Sequence, residues 1–166
     1  VKPRRPTLTI AIIADDRRRR RCQAILARSG EPRLRSRGAA LAAGPRLVRR
    51  CRPSVIVLDA VASPRQALEI LSTLKRMLPT TGVILLGRNR ASRTIVLEGL
   101  RRGAWGHLTE RDLARHLPKA VRAVAIREPW LPREFSALIV AELQARHVSN
   151  RPSITPFRLI RGGRCA

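Results

Sequence analysis

Aromatic residues make up only 2% of these 166 residues, and acids are scarce beside bases: 11 Asp and Glu against 35 Lys and Arg, for a formal net charge of +24. So few aromatics leave little of the stacking platform on which single-stranded nucleic acid is usually held. The core must rest on Leu, Ile, Val and Ala. Cys22, Cys51 and Cys165 are odd in number and lack metal-ligand spacing, which argues against a zinc site or a disulfide framework and for reduced thiols. No apolar run approaches the roughly 18 residues of a membrane span, and no signal-peptide pattern opens the sequence. A cytoplasmic protein with no membrane partner is expected. No Ser-His-Asp arrangement, glycine-rich phosphate loop or HExxH spacing is found, which leaves little support for a hydrolase or nucleotide enzyme.

What is present is 44% hydrophobic residues, enough for one domain with an appendage and too many for a disordered basic tail. Lys2, Lys75 and Lys119 are the only lysines, and all other cations are arginine. A sequence pI near 12.0 invites a nucleic-acid reading, yet an arginine excess together with abundant alanine also follows from GC-rich coding. The densest run, Arg17 to Arg21, is expected to line a solvated helix face.

Strands and helices alternate. Leu8 to Ala14 reads as a buried strand, followed by a helix carrying Cys22, Ile25 and Leu26 and ending at Ser29-Gly30. Residues 31–52 are the least legible: a strand near Pro32–Ser36, then a poor helix with Leu41, Leu47 and Val48 toward a core. Val55 to Leu58 is the next buried strand. Ser63 and Pro64 supply the N-cap and first residue of a helix whose stripe is Ala67, Leu68, Leu71, Leu74 and Leu78. Val83 to Leu86 is another strand, Ile95, Val96 and Leu100 mark a helix, and Trp105 to Leu108 is a last short strand. Thr109 and Asp112 resemble a capping box ahead of a helix with Leu113, Leu117, Ala120, Val121 and Val124. Strands buried on both faces and alternating with helices predict a doubly wound parallel sheet. One more amphipathic helix, with Phe135, Leu138, Ile139 and Leu143, follows Pro129-Trp130-Leu131-Pro132.

Three of the chain's four aspartates stand at strand ends: Asp15 and Asp16 after the first, Asp59 after Val55 to Leu58. In open α/β sheets the functional crevice lies outside the carboxyl ends of the strands, so these carboxylates are expected in one cluster. Three so close cannot all stay ionised without a cation or a proton, and hard oxygen ligands with open positions suit Mg²⁺.

The order of motifs resembles a response-regulator receiver domain of the branch joined to a LuxR-type helix-turn-helix. The likeness rests on Ala14-Asp15-Asp16, on Pro53 to Asp59, and on Gly99-Leu100-Arg101-Arg102-Gly103-Ala104-Trp105-Gly106-His107-Leu108. It implies a flavodoxin-like sheet of five parallel strands in order 2-1-3-4-5 with a C-terminal helical extension. Asp59 would be the phosphoacceptor, Asp15, Asp16 and Asp59 would hold Mg²⁺, and the Val61 carbonyl would complete the site. The implied partner is a sensor histidine kinase or another signalling protein, with a homodimer as a further expectation.

The family's pattern is not kept throughout. Gly87 stands where the family has a hydroxyl residue, Glu110 where it has a lysine, and His107 at its usual aromatic position, expected as a half-buried strand histidine. Pro64 falls one residue late. A cation ~5 Å from a phosphate is worth roughly 3 kcal/mol at an effective dielectric of about 20, so replacing it by Glu110 removes that pairing. Glu110 is expected to point outward and face a helix dipole.

The chain divides into a receiver domain over 7–126, a linker and extra helix over 127–147, and a tail over 148–166. Within the tail, Ser153-Ile154-Thr155-Pro156 resembles the opening of a LuxR-type helix-turn-helix. Without a recognition helix, DNA would be bound only non-specifically. The leading expectation is an atypical two-component response regulator in transcriptional regulation. The alternatives are a phosphorylation-independent interaction module and a basic nucleic-acid-binding protein.

Overall fold

The computed structural model describes residues 7–31, 33–89, 92–133, 135, 137, 139–141 and 144. Its sheet has five strands in order β2-β1-β3-β4-β5: β1 (Leu8–Ile13), β2 (Leu34–Ala39), β3 (Val55–Asp59), β4 (Gly82–Gly87) and β5 (Gly106–Thr109). Every neighbouring pair is parallel. The helices are α1 (Asp16–Arg28), α2 (Gly44–Cys51), α3 (Pro64–Met77), α4 (Arg93–Arg101) and α5 (Leu113–Ala125). The expected order 2-1-3-4-5 is the order found.

The all-apolar strands are explained by two cores on opposite faces of one sheet. Ile10, Ile12, Val55, Val57, Ile84 and Leu86 point to one side and pack with Cys22, Ile25 and Leu26 of α1 and Leu113, Leu117, Val121 and Val124 of α5. The residues between them, Ala11, Ile13, Ile56, Leu58, Val83 and Leu85, point to the other side and meet Val48 of α2 and Ala67, Leu68, Leu71 and Leu74 of α3. Side chains alternate across a strand, so a strand covered on both sides is apolar at successive positions along its middle. Each such buried aliphatic side chain contributes roughly 1.5–3 kcal/mol.

Local chemistry sets the boundaries. Ser63 caps α3 by accepting the Gln66 amide at 3.4 Å, with Pro64 as first helical residue. The turn after α4 needs Gly103, whose φ of +95° is in the left-handed region. Several expected boundaries move by a residue or more. β2 runs from Leu34 to Ala39 rather than starting at Pro32, in register with β1 from Leu8↔Leu34. β5 begins at Gly106, one residue later than expected. Thr109 and Asp112 do not form a capping box: the Thr109 hydroxyl donates to the Asp112 carboxylate at 2.6 Å, and Asp112 is itself the residue preceding α5.

Beyond α5 the chain returns along β5. Trp130 pairs in parallel with Gly106, the His107 amide donates to its carbonyl at 2.8 Å, and its own amide donates to Trp105 at 3.0 Å. Phe135 is helical and 1% exposed, and Ile139 is also helical. Leu138, Leu143, His147, Cys165 and the helix-turn-helix-like segment lie outside the described residues. No described helix is long and apolar enough to cross a membrane.

Candidate functional site

Asp59 is the last residue of β3 and is buried, 2% exposed. Its Oδ1 accepts the Val61 amide at 2.8 Å, a local turn that fixes the carboxylate at the strand's end. Asp15 follows β1 and caps α1, accepting the Arg18 amide at 2.8 Å. Parallel pairing of β1 with β3 puts these two strand ends side by side, as expected from the sequence. Asp16 does not join them. It opens α1 pointing outward and pairs with Arg19 and, at 3.3 Å, Arg20.

Between Asp15 and Asp59 stands Arg18. Its Nη1 donates to Asp15 and lies 3.5 Å from Asp59 Oδ2, while its Nε donates to Glu110 Oε1 at 2.8 Å. Glu110 therefore does not point outward. It turns toward the strand ends because a cation is already there, and its amide is tied to the Gly87 carbonyl at 3.2 Å. Burial works to lower the Arg18 pKa, but the hydrogen bond to Glu110 and the charges of Asp59 and Asp15 together raise it above its ordinary value. The attraction of Arg18 for buried Asp59 alone is roughly 4 kcal/mol at an effective dielectric near 20, before desolvation.

Arg18 was missed in the sequence because it sits inside an arginine run that reads as solvated. The usable signal was its spacing of three from a capping aspartate, which returns a helical side chain to the helix's first turn. Arg88 was missed as well; its Nε donates to the Val61 carbonyl at 3.4 Å.

These partners bear directly on Mg²⁺. One expected carboxylate faces away, the other two share a guanidinium, and the Val61 oxygen accepts from Arg88. Among the described residues no group of three His, Cys, Asp or Glu could hold a metal ion. As arranged, the donor set does not fit Mg²⁺.

Gly87, the last residue of β4, lies against the side chain of His107, the second residue of β5. A Cβ on Gly87 would lie 2.5 Å from His107 Nε2, so the imidazole fills the volume that a side chain at Gly87 would need. His107 is more deeply set than expected, at 4% exposure. Its ring centroid is 6.3 Å from that of Phe135. Burial pulls its pKa down to about 4, against a smaller opposing pull from Asp112. Beside it, Ala60, Pro64, Gly87, Ile95 and Val96 line a mostly apolar hollow of about 110 Å³.

Strand order and parallel pairing match a set of solved structures. A LuxR-family two-component response regulator from Aurantimonas sp. SI85-9A1 superposes with a TM-score of 0.66 at 17% identity, over 84% of this chain and 99% of that one. The isolated receiver domain of RcsB from Salmonella enterica serovar Typhimurium gives 0.69 at 18% identity, over 80% and 98%. The fold is that of a response-regulator receiver domain. The signal receiver domain of the putative response regulator NarL from Mycobacterium tuberculosis gives 0.58 at 19% identity, over 71% and 98%. By sequence alone the chain matches no family model and no curated protein. On this receiver fold the crevice outside the strand ends holds an arginine bridge, with a glycine and a buried histidine next to it.

Proposed function

We propose that this chain is an atypical cytoplasmic receiver module of two-component signalling, acting in transcriptional regulation through protein contacts that do not depend on phosphorylation. The observation that supports this reading is the single guanidinium of Arg18 laid across Asp15, Asp59 and Glu110. Phosphoryl transfer to a carboxylate needs a free carboxylate oxygen and cations placed on the transferring oxygens. Here the Asp59 carboxylate accepts from Val61 and faces Arg18, and Glu110 binds the same cation from the other side.

The switching step is also weakened. A modification shifts a two-state equilibrium only as far as its differential interaction with the two states. Gly87 offers no hydroxyl to a phosphoryl group, Glu110 offers no positive charge, and the His107 ring already occupies the space beside Gly87. Partners in this reading are another signalling protein, a sensor histidine kinase included, or a second copy of the chain. The surface around β5 and α5 is the contact region proposed.

Acetyl phosphate with Mg²⁺ followed by intact mass measurement, and beryllofluoride titration followed by NMR, test the reading. The expected result is an unmodified mass and little change in signals from residues 87–125. A phosphoryl adduct that disappears in Asp59→Asn, with large shifts across those residues, would return the protein to the conventional switching class.

A further inference from the structure

Arg18 also lines a cleft of about 300 Å³, together with Arg17, Arg21, Asn89, Glu110 and Arg111 but not Asp59. Its arginines come from two separate parts of the chain. Arg17 and Arg21 are one helical turn apart on α1 and so share a face. Arg111 belongs to the turn between β5 and α5, and that turn is held in place by its amide, which donates to Asn89 Oδ1 at 3.0 Å.

Its electrostatics are unusual. Four guanidinium groups surround the cleft and one carboxylate, Glu110, is present, already hydrogen-bonded to Arg18. Among the described residues no carboxylate pairs with Arg17, Arg21 or Arg111. Like charges gathered around a concavity focus the local field and draw counter-ions into it. Guanidinium groups match phosphate oxygens through paired, planar donors.

We infer that this cleft is a binding site for a compact polyphosphate anion, a diphosphate or triphosphate group, free or carried on a nucleoside. Four guanidinium groups against one carboxylate leave an excess of positive charge that one small singly charged ion offsets only in part, whereas linked phosphates carry several negative charges. The volume stands near the lower end of small-ligand pockets. A concave site of that size admits such a group but not the convex face of a duplex. Because Arg18 lines both the cleft and the Asp15–Asp59 pair, an anion here also bears on the hold over Asp59. The site itself is distinct from Asp59, and its failure would leave the reading of Asp59 untouched.

Calorimetric titration of the whole chain at about 0.15 M salt, where surface charges are largely screened, provides the test. The probes are inorganic pyrophosphate, inorganic tripolyphosphate, adenosine diphosphate and adenosine. Saturable one-to-one binding is expected for the first two, with adenosine silent. Tighter binding of adenosine diphosphate than of pyrophosphate would assign the ligand to a nucleotide, and equal or weaker binding to the free anion. Arg17→Ala combined with Arg111→Ala, both exposed positions, should weaken binding at least about tenfold. Arg46→Ala with Arg49→Ala on α2 removes the same charge elsewhere and should leave it unchanged. NMR shifts in the wild-type chain should concentrate on residues 17–21, 89 and 110–111. The inference is overturned by absent saturation, by equal weakening in both double variants, by shifts scattered over the surface, or by duplex DNA binding through the same arginines without displacement by pyrophosphate.

Discussion

The imidazole of His107 stands where a side chain on Gly87 would have to be, with Nε2 2.5 Å from the position of a Cβ. The glycine at the end of β4 and the histidine on β5 are therefore one packing unit. A hydroxyl residue cannot be restored at position 87 while the ring keeps its place.

Gly87→Thr is expected to destabilise the fold by about 1–3 kcal/mol, the usual cost of overfilling a packed site. In the double variant Gly87→Thr, His107→Ala most of that loss should return, because the clash is removed. Urea unfolding of the two single variants and the double variant measures the coupling directly. Independent, additive losses would show that the two positions are not in contact.

Stability should depend on the ionisation of His107. Its folded pKa is about 4, below the ordinary histidine value near 6.5, so between those pH values the unfolded chain binds a proton that the folded chain refuses. The contribution is fully present above about pH 6.5, falls as pH drops toward 4, and levels off below it. Its size is on the order of 3 kcal/mol. His107→Gln should flatten this part of the pH–stability curve relative to wild type. Phe135→Ala, which opens the histidine's surroundings, should cost about 3 kcal/mol and raise the pKa seen in the imidazole NMR titration.

Arg18→Met should expose what the guanidinium suppresses. With the cation gone, Asp15, Asp59 and Glu110 lose their shared partner, and Asp59 is left buried with the Val61 amide. A loss of about 3 kcal/mol is expected in metal-free buffer, the low end of the cost of leaving a buried charge uncompensated, because Arg18 itself is partly exposed. Added MgCl₂ should recover much of it in the variant while moving the wild-type melting temperature little. An equal response of both proteins would mean that Arg18 is not what keeps Mg²⁺ from the two carboxylates.

Cys22 is buried in the α1 face of the core and its thiol is pushed up to about 11, by burial first and then by the charge of Asp59. Alkylation by iodoacetamide at pH 8 should label Cys22 only on unfolding, whereas the partly exposed Cys51 should react in the native state. Rapid native labelling of Cys22 would place it outside the core.

The sequence made the interior strands plain because each carries an apolar run, Ile10 to Ala14, Val55 to Leu58 and Val83 to Leu86, that ends at an aspartate or a glycine. Position at strand ends likewise pointed to Asp15 and Asp59. β2 was harder: it lies on the sheet's edge and alternates half-buried Leu34 and Ser36 with exposed Arg35 and Arg37, so no apolar run announces it. The arginine bridge was illegible for a different reason. Arg18, Glu110 and Asp59 are far apart in the chain, and only the folded sheet brings them together. A local reading assigned Arg18 to solvent and Glu110 to a helix dipole, where each would sit if the other were absent.

Trp130, hydrogen-bonded along β5, occupies the edge that a parallel sheet would otherwise offer to another chain. Unpaired strand edges are templates for aggregation, and proteins guard them with covering segments or outward charges. Here both devices operate, one per side: a backbone cover at β5, and Arg35 and Arg37 displayed along β2. Two of the chain's many arginines thus stand where a further strand would have to pair.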